Sequence, residues 1–490
     1  MERASGGDPR RALVYGLAVA GRSTVRALRR RDVEVVVADD RVDDDTRGAA
    51  DELGVELVDS PDVDRLTQLL GSVDLYAPAP GIPEDHRSIV LALELGVDVA
   101  SEVELAHRWE QDRPGGPRPM LAVTGTDGKT TTTLMAAAML EAAGVSSIDA
   151  GNTSTPLVDA IDARRADGTP AYDAFVVECA SFRLAWTPTF RPDAGAWLNL
   201  SPDHLDWHRD LGSYERAKAQ IWANQRPDDV AIGFLPDETV MRHLAVAPGR
   251  RRTFGDATAD YRVDGDQLVG PDGPIAHRSA MRRALPHDVS NALAAAALVI
   301  ESGLADREAV AAALADFVGP PHRLEHLATV DGVDWFNDSK ATTPHAASVA
   351  IRAFDDVVLI AGGKDKQVDL SSMAAESRRV SSVVALGQTR DAIAAHFSAA
   401  DPSIEVSIVD DLDRAVDVAA ASARPGQTVL LSPGCASLDM YGSFEERGDH
   451  FRRLVADRTG SSSSASSTTS SATPSAGPPP AGPPSGGPTA

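Results

Sequence analysis

The fold is decided by residues 120–144, which read MLAVTGTDGKTTTTLMAAAMLEAAG. The first part, 120–125, is apolar and predicts a buried strand, and 131–143 predicts a helix that Gly144 ends. The intervening loop contains glycines, which let backbone N–H groups turn towards a phosphate chain at the helix N-terminus. This strand–loop–helix arrangement predicts a nucleoside triphosphate site.

Two side chains give the loop its chemistry. Lys129 would neutralise charge on the β- and γ-phosphates, and the hydroxyl of Thr130 can ligate Mg²⁺. The loop departs from the full phosphate-loop pattern because Val123 stands where that pattern has its first glycine. A bare Gly-Lys-Thr is common by chance, so the prediction depends on the strand and the helix that flank it.

Outward from this unit, β-branched runs alternate with Ala- and Leu-rich stretches, which is typical of α/β domains with parallel sheets. Further strands are predicted at 12–16, 33–39, 174–178, 194–200, 357–361, 383–386 and 429–431, and further helices at about 21–31 and 289–302. Pro/Gly-rich segments at 111–119 and 319–321 indicate boundaries. We therefore expect a Rossmann-like domain at 1–113, a central P-loop-type ATPase domain at 114–319 and a Rossmann-like α/β domain at 320–458.

Composition narrows the class of protein. The chain has 490 residues and a formal net charge of −25, which argues against non-specific nucleic-acid binding. Two cysteines, Cys179 and Cys435, are too few to cross-link a chain of this size and favour a reducing compartment. There is no signal-peptide core and no apolar run of 18 residues, so we expect a soluble cytoplasmic protein. Residues 459–490, rich in Ser, Pro and Gly, are expected to be a disordered tail.

Lysine is rare in this chain. Of the 47 basic residues, 42 are arginine and five are lysine, at positions 129, 218, 340, 364 and 366. Arginine replaces lysine wherever either cation serves, so the remaining lysines are candidates for sites that need a compact ammonium or a neutral amine. For any one of these lysines, the alternative is a surface residue without a function that has remained lysine by chance.

The first predicted strand is followed by GLAVAG at 16–21, and Asp39 ends the next strand. This pattern resembles a dinucleotide fingerprint, but Ala18 replaces the middle glycine that permits close approach of a pyrophosphate. A nucleotide-diphosphate site fits better than an NAD site, with 16–18 near the phosphates and 39–41 near a base or ribose. A purely structural turn is the alternative.

Acidic and imidazole groups follow two other predicted strands. Glu178 lies in VVECASFRL, and Asp203 and His204 lie in LNLSPDHLDWH. Beside a phosphate-binding loop they are plausible ligands of Mg²⁺, although each alone could equally be structural. Lys218, in YERAKAQIW, is by itself consistent with a lysine that extends its amine to solvent.

Together these segments resemble the Mur ligases, the ATP-dependent amide-forming enzymes of peptidoglycan precursor synthesis. The resemblance runs from about residue 13 to 454 and is carried by GTDGKTT, ECASF, LNLSPDHLDWH, the AK of YERAK, HDVSNALAA, PPHRLE and NDSKATTP. GGKDK at 362–366 and SPGCASLDMYGSFEERG at 432–448 resemble the members that add D-glutamate.

The resemblance implies a role for each matching residue. It places ATP at Gly125, Thr126, Asp127, Gly128, Lys129, Thr130, Thr131, Asn291, Arg323 and Asp338, and magnesium, at two sites, near Thr130, Glu178, His204 and Lys218. It places the UDP-muramoyl substrate at Leu17, Ala18, Asp39, Arg41, Gly81 and Asn152, and D-glutamate at Lys340, Thr342, Lys366, Ser437 and Phe444. Lys218, His204, Lys129 and Arg323 match catalytic positions, and Lys218 matches the family's carbamylated lysine. Asp127, Ala180 and Arg183 depart from the family's usual residues.

The implied reaction joins D-glutamate to UDP-N-acetylmuramoyl-L-alanine through an acyl phosphate, with ATP and Mg²⁺ as cofactors and no nucleic-acid or membrane partner. The implied enzyme is a monomer. Two alternatives stay open. A folylpolyglutamate-synthase-like ligase would share the ATP core but would not need a nucleotide-like first domain. A non-catalytic binding module gated by a nucleoside triphosphate would need no amino-acid pocket.

Overall fold

A computed structural model describes residues 9–365 and 369–465. The described residues up to Val318 form one compact unit, and those from Gly319 onwards form a second. The division coincides with Gly319-Pro320-Pro321, and the finer division into three domains stays a prediction. Each unit is an α/β structure, which confirms the predicted fold class.

The first unit begins with a five-stranded parallel sheet in the order β3-β2-β1-β4-β5. Its strands are β1 Arg11–Tyr15, β2 Glu34–Asp39, β3 Glu56–Asp59, β4 Leu75–Pro78 and β5 Asp98–Val99. The helices between and after them are α1 Val19–Arg29, α2 Asp44–Leu53, α3 Val63–Leu70, α4 Arg87–Glu94 and α5 Glu102–Gln111. The three central strands β1, β2 and β4 are buried along most of their length, which explains their nearly continuous apolar sequences.

The same unit contains a six-stranded parallel sheet in the order β11-β10-β9-β6-β8-β7. Its strands are β6 Met120–Thr124, β7 Ser147–Gly151, β8 Ala174–Glu178, β9 Ala194–Trp197, β10 Val230–Phe234 and β11 Arg250–Phe254. Its helices are α6 Lys129–Ala142, α7 Leu157–Asp162, α8 Ser181–Leu184, α9 Leu211–Ala223, α10 Glu238–Leu244, α11 Pro286–Glu301 and α12 Arg307–Asp316. A small antiparallel sheet, β12 Arg262–Asp264, β13 Gln267–Gly270 and β14 Gly273–His277, lies between β11 and α11 in the chain.

Polar contacts join the two large sheets of the first unit. On the helix and loop that follow β1, Arg30 and Arg31 pair with Asp162, at the end of α7, at 2.9 and 2.8 Å. The guanidinium of Arg31 also lies over the ring of Trp109 at 3.9 Å. The ion pairs therefore hold the end of α1 against α7, whereas the contact between Arg31 and Trp109 lies among the helices of the first sheet.

The second unit is built on a six-stranded sheet in the order β15-β16-β20-β17-β18-β19. Its strands are β15 Glu325–Val330, β16 Val333–Asn337, β17 Val357–Gly362, β18 Val380–Leu386, β19 Glu405–Ile408 and β20 Thr428–Leu431. Its helices are α13 Pro344–Arg352, α14 Ser371–Ala374, α15 Arg390–Ala400, α16 Leu412–Ser422 and α17 Phe444–Ala465. Only β15 runs antiparallel to its neighbour.

The predicted strands and helices are all present, with ends displaced by a few residues. The helix expected from 131 begins at Lys129, because Gly128 takes a left-handed conformation (φ +82°) and ends the loop directly before it. The hairpin β15–β16 and the small sheet β12–β14 were not predicted. Residues 459–465, expected to belong to a disordered tail, continue α17, since extending an existing helix needs no new nucleation. The rest of the predicted tail lies outside the described residues.

Candidate functional site

The phosphate-binding loop, residues 125–128, joins the carboxyl end of β6 to the start of α6. Its backbone is held by Asn199, whose side-chain oxygen accepts hydrogen bonds from the N–H groups of Thr126 and Asp127, both at 2.9 Å. A side chain at Gly128 would place its Cβ 2.5 Å from the side-chain oxygen of Asn291. Asn291, predicted to contact ATP, therefore lies directly against this loop.

Two lysines converge on one backbone oxygen of the loop. Lys129 donates to the carbonyls of Gly125 and Thr126 at 2.9 and 2.7 Å. Lys218, from α9, donates to the same Gly125 carbonyl at 2.6 Å and lies 4.5 Å from the centre of the Tyr214 ring. Only 1% of Lys218 is exposed. Its burial, together with the nearby charge of Lys129, lowers the pKa of Lys218 well below the ordinary lysine value.

Glu178 lies at the carboxyl end of β8, beside the loop's own strand. One oxygen accepts a hydrogen bond from the Asn152 side chain at 3.0 Å. The other oxygen is buried and accepts no hydrogen bond from any residue that the structure describes. A buried carboxylate oxygen without a partner is costly, and a bound cation would remove that cost. Asn152, predicted to face the muramoyl substrate, is thus placed beside the predicted magnesium ligand.

His204 occupies the turn after β9 and has a positive φ of 53°. Its ring packs edge-on against Phe182 with 5.5 Å between the ring centres, and Asp203 lies 3.5 Å from its Nε2. Burial lowers the pKa of His204, which favours the neutral imidazole, the form that ligates metal ions. Thr130, the second residue of α6, is half-buried.

The residues present fit Mg²⁺ rather than a metal held by the protein alone. Among residues 9–365 and 369–465, no group of three or more His, Cys, Asp or Glu side chains is arranged to hold a metal. Magnesium typically takes one or two protein carboxylates and completes its shell with water and substrate phosphates. Glu178, with its unpartnered oxygen, and a neutral His204 are donors suited to that pattern.

Arg183, one of the residues that depart from the family's usual sequence, has a buried partner of its own. Its guanidinium forms a buried ion pair with Glu102, at the start of α5, and its Nε lies 3.4 Å from the Asn152 side-chain oxygen. Asn152 in turn donates to Glu178. The arginine therefore does not disturb Glu178 directly, because its charge is paired with Glu102.

The predicted UDP-binding loops of the first sheet are linked by Asp39. One oxygen of its carboxylate accepts from the N–H of Leu17 and the other from the N–H of Arg41, both at 2.9 Å. Leu17 is buried, whereas Ala18, Arg41 and Gly81 are exposed. Asp39 therefore shapes both loops, and the exposed positions are the ones available to a ligand.

The second unit carries the remaining predicted residues. Asp338 is buried and bridges the N–H of Leu324, at 3.1 Å, and the hydroxyl of Ser432, at 2.8 Å. The amine of Lys340 lies 5.9 Å from the centre of the Phe444 ring. These contacts bring the segments around 323, 338–340 and 432–444 together within the unit.

Three further residues of this unit were predicted to bind D-glutamate. Ser437 is buried and Thr342 is half-buried. Lys366, predicted to bind D-glutamate, lies outside the described residues.

Arg447 was missed by the sequence interpretation although it lies in a quoted motif. Its guanidinium is buried and donates to the hydroxyl and carbonyl of Ser339 at 2.9 Å and to the carbonyl of Cys435 at 3.2 Å. It thereby joins the NDSK and CASLD segments. Asn199 was missed in the same way, since only the pairing of β9 with β6 brings it to the loop.

The family follows from comparison with known proteins. Residues 123–299 match the Mur ligase middle domain, and residues 322–435 match the Mur ligase, glutamate ligase domain. The chain belongs to the Mur ligase family, whose members are ATP-dependent and generally use Mg²⁺.

Two relatives within that family align with nearly the whole chain. It is 42% identical to the UDP-N-acetylmuramoylalanine--D-glutamate ligase of Frankia casuarinae, over 91% of this chain and 94% of the relative. It is 39% identical to the enzyme of the same name from Thermobifida fusca, over 91% of this chain and 98% of the relative.

Solved structures agree in fold. The UDP-N-acetylmuramate-alanine ligase of Thermotoga maritima superposes with a TM-score of 0.53 at 18% identity, covering 93% of this chain and all of that one. E. coli FolC in complex with DHPP and ADP gives a TM-score of 0.52 at 19% identity, covering 73% and 93%. At these identities the likeness shows the fold alone.

Across the described ranges, none of the helices combines the length and apolar character needed to cross a membrane.

Proposed function

We propose that this protein uses ATP to join D-glutamate to UDP-N-acetylmuramoyl-L-alanine in the cytoplasm, as a step of peptidoglycan precursor synthesis. The observation that carries the proposal is the loop at 125–128, where Lys129 and the buried Lys218 donate to the carbonyl of Gly125. The strand beside that loop, β8, ends at Glu178, which has an unpartnered carboxylate oxygen among the described residues. Relatives that align with 91% of this chain, at 42% and 39% identity, carry the name of this activity.

In this reaction the alanyl carboxylate attacks the γ-phosphorus of ATP, ADP leaves, and an acyl phosphate forms. The amine of D-glutamate then attacks the acyl carbon, the nitrogen loses a proton to solvent, and the acyl–oxygen bond breaks to release inorganic phosphate and leave an amide. Both steps concentrate negative charge on the reacting groups in the transition state, so preorganised cations and N–H donors lower the activation barriers of both steps. Lys129 and the loop N–H groups would hold the β- and γ-phosphates, with Arg323 on the γ-phosphate and Asn291 and Asp338 on the nucleotide.

Glu178, His204 and Thr130 would hold Mg²⁺, which when bound screens the repulsion between the triphosphate and the substrate carboxylate. Glu178 offers an oxygen that no described residue uses, and Asn152 fixes the other oxygen of the same carboxylate. His204 would bind through a neutral ring. Two magnesium sites remain part of the proposal.

Lys218 would act as a carbamate. Its neutral amine adds to the carbon of CO₂, a proton leaves to solvent, and the product carries anionic oxygens in place of an ammonium group. Two features support this: the side chain is 1% exposed, and Lys129 donates to the same carbonyl oxygen. Both features disfavour a second ammonium group at this place. Arginine offers no neutral amine for this addition.

The binding sites for the UDP-linked substrate and for D-glutamate are assigned to the first and the second unit, respectively. In the first unit, the exposed Ala18, Arg41 and Gly81 would contact UDP. Asp39 would shape the two loops of the UDP site through the N–H groups of Leu17 and Arg41. In the second, D-glutamate would be held by Lys340, Thr342, Lys366, Ser437 and Phe444. Arg447 would fix the segments that carry several of these residues.

The test is phosphate release from ATP with UDP-N-acetylmuramoyl-L-alanine and a panel of D- and L-amino acids. We expect release only with D-glutamate, together with an amide product that mass spectrometry identifies. Lys129→Ala should abolish release, because it removes the ammonium group that would hold the β- and γ-phosphates, and the melting temperature of the variant checks that it folds. Release with a reduced pteroate and L-glutamate would favour a folylpolyglutamate-type ligase, and nucleotide binding without any release would favour a binding module.

A further inference from the structure

Three buried polar side chains of the first unit form a continuous hydrogen-bonded bridge. Glu84 lies in the loop between β4 and α4, His208 in the turn before α9, and Ser181 at the start of α8. The Nδ1 of His208 lies 3.0 Å from an oxygen of Glu84, and its Nε2 lies 2.9 Å from the hydroxyl of Ser181. We call this the Glu84–His208–Ser181 bridge.

The order of groups resembles that of a nucleophilic triad, but Ser181 is only 1% exposed and His208 only 2%. A nucleophile must reach its substrate, so the geometry points to a fastening rather than to covalent catalysis. Burial lowers the pKa of His208, which favours the neutral ring. The Nδ1–H then donates to the Glu84 carboxylate, and Nε2 accepts from the Ser181 hydroxyl.

Backbone hydrogen bonds reinforce the contact between the two loops. The second oxygen of Glu84 accepts from the N–H of Arg209 at 3.1 Å, and the N–H of Glu84 donates to the carbonyl of Trp207 at 3.2 Å. The indole N–H of Trp207 donates to the carbonyl of Pro80 at 2.9 Å. Residues 80–84 and 207–209 are therefore held together by several hydrogen bonds.

Each end of the bridge belongs to a different part of the proposed site. Residues 80–84 include Gly81, on the proposed UDP side. The carbonyl of His204 accepts from the N–H groups of Trp207 and His208, so the strained backbone of His204, at φ +53°, depends on where His208 is held. Ser181 follows Glu178 by three residues, on the magnesium side.

We propose that Glu84 and His208 are positioning residues that couple occupancy of the UDP-substrate loop to the placement of His204 and Glu178. The inference rests on the proposed function, because that function supplies the two ligands. Filling the substrate loop fixes residues 80–84, and the bridge passes that constraint to the turn that carries His204. Nucleotide with Mg²⁺ should then bind more tightly when the UDP-substrate is already bound.

The experiment measures this coupling by isothermal titration calorimetry. The dissociation constant of a non-hydrolysable ATP analogue with Mg²⁺ is determined without and with saturating UDP-N-acetylmuramoyl-L-alanine. For the wild type we expect a ratio of at least about fivefold, the lower end of common coupling free energies. For Glu84→Gln and His208→Gln we expect the ratio to fall to within about twofold of one. Turnover should fall, and the KM for D-glutamate should stay unchanged.

Ser213→Ala is the matched control. It removes one half of the capping box at the start of α9, where the Ser213 hydroxyl accepts from the N–H of Asp210 at 3.2 Å, without touching the bridge. It should lower the melting temperature and keep the wild-type ratio. Should His208→Gln fail to fold, Ser181→Ala removes only one hydrogen bond and should still reduce the ratio.

Folded variants that keep the wild-type ratio, or a wild type whose ratio is one, would overturn the inference. A wild type that binds neither ligand would instead contradict the proposed function.

Discussion

Replacing His107 by leucine should reduce the loss of stability that the first unit suffers in acid. His107 lies in α5, is 5% exposed and packs edge-on against Phe190 with 5.6 Å between ring centres. Neither ring nitrogen has a hydrogen-bond partner among the described residues. Burial, aided by the charges of Arg191 and Arg108, lowers the pKa of His107 to about 4.

The magnitude follows from the difference between the folded and unfolded states. The pKa is about 4 in the folded protein against 6.5 for the ordinary side chain. Between these values only the unfolded chain takes up the proton, so the free energy of unfolding falls as the pH falls. At about 1.4 kcal/mol per unit, the loss is about 2 kcal/mol between pH 7 and 5, and its limit, near pH 4, is about 3 kcal/mol.

Urea unfolding at pH 7 and pH 5, followed by tryptophan fluorescence, measures this loss. Five of the six tryptophans precede residue 319, so the signal reports mainly on the first unit. The loss should be about 2 kcal/mol smaller in His107→Leu than in the wild type, and unchanged in the exposed control His277→Leu. At pH 7 the leucine variant should be at least as stable, because it removes buried, unpartnered nitrogens. Equal pH dependence in His107→Leu and wild type would refute the reasoning.

Three further predictions concern the proposed activity. Lys218→Arg and Lys218→Ala should both fold normally and lose at least about a hundredfold in turnover, and small carboxylic acids should partly restore the activity of the alanine variant. An active arginine variant, together with an alanine variant whose activity carboxylic acids do not restore, would indicate a lysine that bonds directly to phosphate. Lys366→Ala should raise the KM for D-glutamate far more than the KM for ATP, and an unchanged KM for D-glutamate would move the pocket elsewhere. Truncation after Arg458 should leave steady-state activity and melting temperature nearly unchanged, since Arg458 keeps its ion pair with Asp417; a drop of several degrees would show that the removed residues dock.

Local signals in the sequence were sufficient for the elements that carry the phosphate loop. The apolar run before Thr124, the glycines of the loop and the Ala-rich run after Lys129 each depend on neighbours within a few residues. The strands β8 and β9 were located for the same reason, so Glu178 and His204 could be expected at the same edge of a parallel sheet. Family resemblance then supplied roles that local pattern could not.

The contacts that were not predicted depend on pairing between distant segments. Glu84 and His208 are separated by 124 positions. His208 ends the LNLSPDHLDWH motif, but nothing in that motif identifies Glu84 as its hydrogen-bond partner. Arg183 was noticed as a departure, but its pairing with Glu102, 81 positions away, depends on how α5 packs near α8. The hairpin β15–β16 was missed because β15 is only partly buried and its sequence does not alternate cleanly.

The burial of Lys218 has a kinetic consequence under the carbamate proposal. A side chain with 1% of its surface exposed meets dissolved gas only when the surrounding structure opens locally, so formation and loss of the carbamate would follow the rate of that opening. Protein purified in degassed buffer would then gain activity with a lag after bicarbonate is supplied, and would keep that activity for a time after bicarbonate is removed. The enzyme would retain a memory of the gas to which it was last exposed.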